Sequence, residues 1–319
     1  MQRILRMDAN ESCYGPSPHA VRAAANALCE INLYPDDSNR SLRKALSDRL
    51  GVPADQIIFG NGSSELIELI ARAFLRPGQN SITADSTFVL YRPATEWTGA
   101  QCREIPLCDW KFDLEAIRRS IDDYTALIYI ANPNNPTGTH LSQRQIETFL
   151  DEVPSHVVTV LDQAYFEYTE DREDPPLTDR LIILRTFSKI YGLAGLRIGY
   201  GVAKKELIQQ LDRVRSQYNI NSIAQAAALA ALEDQDHIRT IKAKHDLERT
   251  FMETELSGIG IPFVPSITNF MFLVIPNPAE TSETLRLQGI RTRLVKQGIR
   301  ITLGTHEENL QLLEALKSL

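Results

Sequence analysis

Leu181-Ile182-Ile183-Leu184-Arg185-Thr186-Phe187-Ser188-Lys189 is the stretch on which the fold reading turns. Four consecutive apolar residues are too few for a helix and too continuous for a strand with one wet face. They read as a strand covered on both sides, as in a parallel or mixed sheet. The run stops abruptly at Arg185-Thr186, and polar residues follow. Working outward, the same signature recurs. Ile57-Ile58-Phe59 ends at Gly60, Leu127-Ile128-Tyr129-Ile130-Ala131 at Asn132-Pro133, and Val157-Val158-Thr159-Val160-Leu161 at Asp162. Between them Ser64 to Leu75 carries Leu66, Leu69, Ile70 and Ala73 on one helical face, and Gln143 to Leu150 also reads as helix. Strands alternating with helices predict an α/β domain over residues 30–235.

The last third differs. Asp234 to Leu256 is charged and helix-friendly, Asn269 to Ile275 and Ile299 to Leu303 read as strands, and Glu307 to Leu319 as a closing amphipathic helix. Residues 1–29 and 236–319 are expected to form a smaller α+β domain. Glu170 to Asp179 reads as a solvated loop, because a strand follows at once.

The chain has 319 residues, which suggests about two domains. With 34 Lys plus Arg against 41 Asp plus Glu, the net charge of −7 is no footprint for nucleic acid. No apolar run approaches the roughly 20 residues of a membrane span. Cys13, Cys29, Cys102 and Cys108 form no C-x-x-C pair and are expected to be reduced thiols. The first eight residues lack the apolar core of a secretory signal, so a cytoplasmic protein without membrane or nucleic-acid partners is expected.

Several motifs fall short. Gly60-Asn61-Gly62-Ser63-Ser64-Glu65 follows a strand and opens a helix, but Glu65 stands where a dinucleotide fingerprint needs its third glycine. The strand, glycine turn and helix N-terminus remain a good place for a phosphate. No P-loop, H-E-x-x-H or G-x-S-x-G appears among the residues, and no metal site is expected.

What stands out is the set of polar residues at four successive strand ends, where open α/β sheets bind ligands. Gly62-Ser63-Ser64 follows the first, Asn132-Pro133-Asn134-Asn135-Pro136-Thr137-Gly138 the second, Asp162-Gln163-Ala164-Tyr165 the third, and Thr186-Phe187-Ser188-Lys189 the fourth, with Arg197 eight residues beyond the lysine. Singly, each is ordinary. The Asn-Pro stretch is also a stiff turn, Asp162 a helix cap, Lys189 a surface lysine and Arg197 half of a surface ion pair. Together they supply a phosphate cradle, a carboxylate, a phenol, an amide, an amine and a guanidinium. Pyridoxal phosphate needs that set: a lysine for its aldehyde, a carboxylate for its pyridinium nitrogen, donors for its ring oxygen and for its phosphate.

These segments resemble the fold-type I, class I/II aminotransferases, and among them the histidinol-phosphate aminotransferase family. The likeness also takes in Met7-Asp8-Ala9-Asn10-Glu11, Leu33-Tyr34-Pro35-Asp36, Gly192 to Gly199 and Arg300 to Thr305, so it spans nearly the whole chain. It implies a large domain with a mixed, mostly parallel sheet plus a smaller α+β domain. It implies that Lys189 joins the cofactor's aldehyde and then moves a proton, that Asp162 pairs the pyridine nitrogen, and that Tyr165 and Asn135 bond the ring hydroxyl. Phe88 would stack on the ring. Gly62, Ser63, Ser64, Thr186, Ser188 and Arg197 would surround the phosphate, with Tyr34 reaching it from a second subunit, which implies a homodimer. Arg300, Arg293 and Asn10 would meet the substrate, although Arg291 stands close enough to Arg293 to take its place.

The implied reaction passes an amino group between histidinol phosphate and 2-oxoglutarate in histidine synthesis. An arginine fork suits a carboxylate as well as a phosphate, so transamination of an aromatic or specialised amino acid and decarboxylation of an amino-acid phosphate are the alternatives within the fold. A non-enzymatic binding module is the alternative outside it. The chain departs from the family in carrying Ser64 in place of an acid, Gln163 in place of Glu, and only six residues between Arg293 and Arg300. It starts almost at Met7-Asp8, so the family's covering N-terminal arm is expected to be missing or replaced.

Overall fold

The computed structural model describes residues 4–170 and 174–318. Residues 1–3, residues 171–173 of the expected 170–179 loop and the last residue of the expected closing helix lie outside them.

A seven-stranded sheet runs in the order Ile57–Gly60, Gly199–Ala203, Leu181–Thr186, Val158–Asp162, Thr125–Ala131, Asn80–Ala84, Gln101–Ile105. Gly199–Ala203 is antiparallel to both neighbours, and every other pairing is parallel. The sheet is therefore mixed and mostly parallel, and the protein has the fold-type I architecture. Thr125–Ala131 and Leu181–Thr186 are buried along their whole length, as their unbroken apolar character requires. The two-residue period divides the flanking cores. Ile58 joins Leu66, Leu69 and Ile70 of the Gly62–Phe74 helix on one face. Ile57 and Phe59 join Leu42, Leu46, Ala224 and Ala228 on the other.

Three sheet strands lack the apolar signature that marked the others. Asn80–Ala84 is polar yet buried, because its polar groups are bonded: Ser81 to Thr95 (2.7 Å), Thr83 to the Tyr129 carbonyl (3.1 Å) and Asn80 to Asp122 (3.0 Å). Gln101–Ile105 is an edge strand with its first residue exposed. Gly199–Ala203 holds two glycines, which normally argue against a strand. A Cβ on Gly199 would lie 2.6 Å from the Ser63 amide nitrogen and 2.9 Å from the Arg185 carbonyl, so the close approach demands the glycine.

The smaller part is a four-stranded antiparallel sheet in the order Arg293–Val295, Gly298–Thr302, Phe270–Val274, Phe263–Val264. Its core gathers Met271, Leu273, Ile299 and Ile301 with Met252 and Leu256 of the Gln235–Gly258 helix and Leu312 and Leu313 of the His306–Lys317 helix. The first 29 residues divide between the two parts. Leu5–Arg6 pairs in parallel with Ile290–Arg291, whereas the Pro18–Ala27 helix packs through Ala20 on the Ser222–Glu233 helix of the larger core.

Gly199→Ala should lower stability by about 1–3 kcal/mol through backbone displacement alone. A urea titration checks this: the midpoint should fall with the slope unchanged, and an unshifted midpoint would show that the glycine is dispensable.

Candidate functional site

The carboxyl ends of Ile57–Gly60, Thr125–Ala131, Val158–Asp162 and Leu181–Thr186 open on one cavity. Ser63, Ser64, Phe88, Asn135, Asp162, Tyr165, Thr186, Ser188, Lys189 and Arg197 all line it, so ten of the residues singled out from sequence come together.

One part of the cavity is built for an anion. The Gly62–Phe74 helix starts at Asn61 without a side-chain cap, so its first N–H groups are not claimed by a capping side chain. Gly62 has φ +78°, and a Cβ there would lie 2.4 Å from an Arg197 guanidinium nitrogen. The glycine therefore lets the guanidinium settle on the turn. Arg197 is itself left-handed at φ +55°, and its Nη1 donates to the Ser188 hydroxyl (3.4 Å) and the Ala194 carbonyl (3.2 Å). Thr186 and Ser188 are linked hydroxyl to hydroxyl at 3.0 Å. Guanidinium, hydroxyls and helix N-terminus make a cradle suited to a phosphate.

The Asn132–Gly138 loop shows how one residue is left over for chemistry. Asn132 exchanges bonds with both backbone groups of Leu141 (2.9 and 2.8 Å). Asn134 donates to the Ser86 carbonyl (3.1 Å) and Thr137 (2.9 Å) and accepts from Thr87 (2.8 Å). Both are spent on holding the loop. Asn135 alone among the three faces the cavity, its Oδ1 accepting from Arg300 Nη1, which leaves its amide N–H groups for a ligand.

Asp162 ends its strand buried, only 5% exposed. Its Oδ2 accepts from the Tyr91 hydroxyl (2.8 Å) and its Oδ1 from the Ala164 N–H (3.1 Å). Burial pushes its carboxyl up to about 6, against the pull of these two bonds and of Lys189. Lys189 is half-buried, and its Nζ donates to the Ala9 carbonyl (3.1 Å). Burial, helped by the positive charges of Arg300 and Arg197 and opposed by Glu11 and Asp162, brings its ammonium down to about 8. Tyr165 is buried and pushed up to about 12 by desolvation; its oxygen accepts from Asn10 Nδ2 (2.8 Å), so its own proton is free to be donated.

Other predicted residues stand off from the cavity. Asn10, buried and left-handed at φ +56°, is fixed by Thr302, whose hydroxyl accepts from the Asn10 backbone N–H (2.9 Å) and donates to its Oδ1 (3.2 Å). Arg300, 7% exposed, reaches Asn135 and the Asp8 carbonyl, and its Nε is buried without a partner among the described residues. Arg293 sits directly across from Arg300 in the strand register, on the same sheet face, whereas Arg291 is paired with Asp8 at 2.8 Å. Arg293 is therefore the neighbour that Arg300 feels. Tyr34 lies outside this chain's cavity, 82% exposed and stacked on Tyr218 at 4.7 Å.

Tyr91 was not singled out from sequence, although it lines the cavity and bonds Asp162. The available signal was the Phe88…Tyr91 spacing, two aromatics three residues apart in the turn leading into the Tyr91–Glu96 helix that meet edge-on at 5.6 Å.

A family model for aminotransferase class I and II matches residues 2–316. The histidinol-phosphate aminotransferase of Geobacillus thermodenitrificans is 41% identical over 330 aligned positions, covering 99% of this chain and 90% of the relative. That of Staphylococcus haemolyticus is 42% identical, covering 98% and 91%. Among solved structures, histidinol-phosphate aminotransferase from Sinorhizobium meliloti in complex with pyridoxal-5'-phosphate superposes with a TM-score of 0.94 at 30% identity, over 99% of this chain and 90% of the other. Both the length of the match and the level of identity lead to one conclusion: the chain belongs to the class I and II aminotransferases.

Proposed function

We propose that the protein transfers an amino group from histidinol phosphate to 2-oxoglutarate, using pyridoxal phosphate, as a cytoplasmic homodimer. The observation that carries the reading is the sharing of one cavity by a lysine amine, a buried carboxylate and a phosphate cradle. The donor set fits the cofactor. Gly62 leaves room for Arg197 beside a helix N-terminus, and Asp162 is a buried acid whose two bonded donors are both neutral. When bound, pyridoxal phosphate supplies an electrophilic aldehyde and an electron-accepting ring.

The chain's own groups do the rest. Ser63, Ser64, Thr186, Ser188 and Arg197 would hold the phosphate of the cofactor. Asp162 would keep a proton on the ring nitrogen. Tyr165, oriented by Asn10, and Asn135, oriented by Arg300, would donate to the ring oxygen, and Phe88 would cover the ring. Lys189 Nζ, partly unprotonated near neutral pH, would hold the cofactor's aldehyde and, once the substrate's amine has displaced it, would be the base that moves the proton from the donor's carbon. Arg300 and Arg293 bind the substrate's anion. Arg300 is suited to it, because its buried Nε has no partner among the described residues and a dianionic phosphate offers several acceptors. Tyr34, exposed beside the apolar Leu28, Ile31 and Leu33, supports a second subunit covering this stretch and receiving the tyrosine at its own phosphate site.

A substrate panel tests the assignment. Histidinol phosphate should give a kcat/KM at least about tenfold above phenylalanine, and Arg300→Ala should cost roughly 10–100-fold, the value of a charge-assisted bond. Preference for phenylalanine would replace the substrate class, and release of carbon dioxide would replace the reaction.

The pH dependence of cofactor capture tests Lys189. With its amine titrating at about 8, the rate at which cofactor-free protein takes up pyridoxal phosphate should rise about tenfold per pH unit below that point and level off above it. Stopped-flow absorbance reads the midpoint, and one near 10.5 would contradict the enclosure of the amine.

Asp162 sets a stability balance in the cofactor-free protein. Its folded value of about 6 exceeds the ordinary 3.8, so its ionisation costs nothing below about pH 4, destabilises progressively between about pH 4 and 6, and levels off at its full cost above that. Asp162→Asn should therefore raise the cofactor-free Tm at pH 7.5, by up to about 3 kcal/mol of stability, with the gain shrinking at pH 4.5. Transamination should be lost. A lower Tm at pH 7.5 would refute the balance.

A further inference from the structure

Asp162 is a carboxylate with few partners for so enclosed a place. Its donors among the described residues are the Ala164 N–H, on the following turn, and the Tyr91 hydroxyl, which comes from 71 residues away in sequence. Charged or titratable groups that bear on it are Tyr91, Tyr165 and Lys189.

Tyr91 is held more firmly than a space-filling aromatic needs to be. Its ring is fully buried, stacked parallel on Tyr129 at 4.8 Å with an interplanar angle of 7°, and met edge-on by Phe88. Its carbonyl accepts from Thr95 Oγ1 (2.9 Å), which is in turn bonded to Ser81 (2.7 Å). The hydroxyl has one proton and gives it to Asp162 Oδ2. A phenol in this environment keeps its proton, since burial and the adjacent carboxylate both push its ionisation well above the ordinary range. It is therefore a permanent donor to one oxygen of the acid, and it cannot turn away without breaking the stack.

We propose that Tyr91 is a positioning residue for the transamination chemistry: its hydroxyl fixes the Asp162 carboxylate in place and in the ionised form, so that the proton shared with the cofactor's ring nitrogen stays on the ring. The proposal rests on the cofactor reading above. Without the hydroxyl, the carboxylate becomes more basic and competes for that proton. The ring then becomes a weaker electron acceptor, although every group that touches the substrate is still present.

The test compares holoenzymes of Tyr91→Phe, Thr95→Val and the wild type. Tyr91→Phe keeps the stacked ring and removes only the donor. Its bound-cofactor visible band should titrate about one pH unit higher than wild type, and kcat should fall about tenfold with KM within twofold, the size of one charge-assisted hydrogen bond. Thr95→Val loosens the same packing without removing the hydroxyl and should leave the titration midpoint where it was. Incorporating 3-fluorotyrosine at position 91 preserves the fold with a more acidic donor and should move the midpoint the opposite way; it decides the matter if Tyr91→Phe fails to fold. An unshifted midpoint in Tyr91→Phe or the fluorotyrosine protein, or an equal shift in Thr95→Val, overturns the role of Tyr91 and leaves the cofactor reading standing. Absence of any borohydride-trapped pyridoxyl group on wild-type Lys189 overturns both.

Discussion

A buried carboxylate whose hydrogen-bond donors among the described residues are both neutral is the constraint around which this molecule is organised. Asp162 gains two hydrogen bonds and the distant field of Lys189, and these do not offset its desolvation. The fold tolerates the deficit because the acid ends a central, doubly covered strand, where the backbone has no freedom to swing it into solvent. The same rigidity holds the neighbouring strand ends. Lys189, Asn135 and the Gly62 turn are thereby carried to one cavity by the register of a single sheet. Under the proposed function a protonated ring nitrogen would be the partner such an acid lacks.

The electrostatics of the cavity separate two tasks. Burial, with the positive charges of Arg300 and Arg197 beside it, lowers the Lys189 ammonium to about 8. Under the proposed function the same two arginines would also favour anions, one beside the helix start at Gly62 and one beyond Asn135. One charge pattern would then serve nucleophilicity and binding together.

Legibility followed the physics of each element. Leu181–Thr186 and Thr125–Ala131 were visible in the sequence because short, continuously apolar runs fit little besides a strand covered on both faces. Asn80–Ala84 and Gly199–Ala203 were not, since their identity lies in partners: bonded polar groups in the first, backbone approach in the second. At the site, strand ends plus a family resemblance brought out the lysine, the acid and the anion cradle. The resemblance could not say that Arg291 is occupied by Asp8 while Arg293 stands opposite Arg300, which depends on strand register. Nor could it find Tyr91, whose importance is its contact with Asp162 and not its residue type.

The stretch Asp8–Asn10 has an effect on how the molecule comes into being. Its backbone receives Arg300 at Asp8 and Lys189 at Ala9, and the Asn10 side chain steadies Tyr165 while resting on Thr302. Asn10 leaves the ribosome 292 residues ahead of Thr302, and Asp8 the same distance ahead of Arg300. These contacts can form only once both stretches have been synthesised, so a polypeptide broken off before Arg300 would carry the central strands without the groups that hold Asp8 and Asn10.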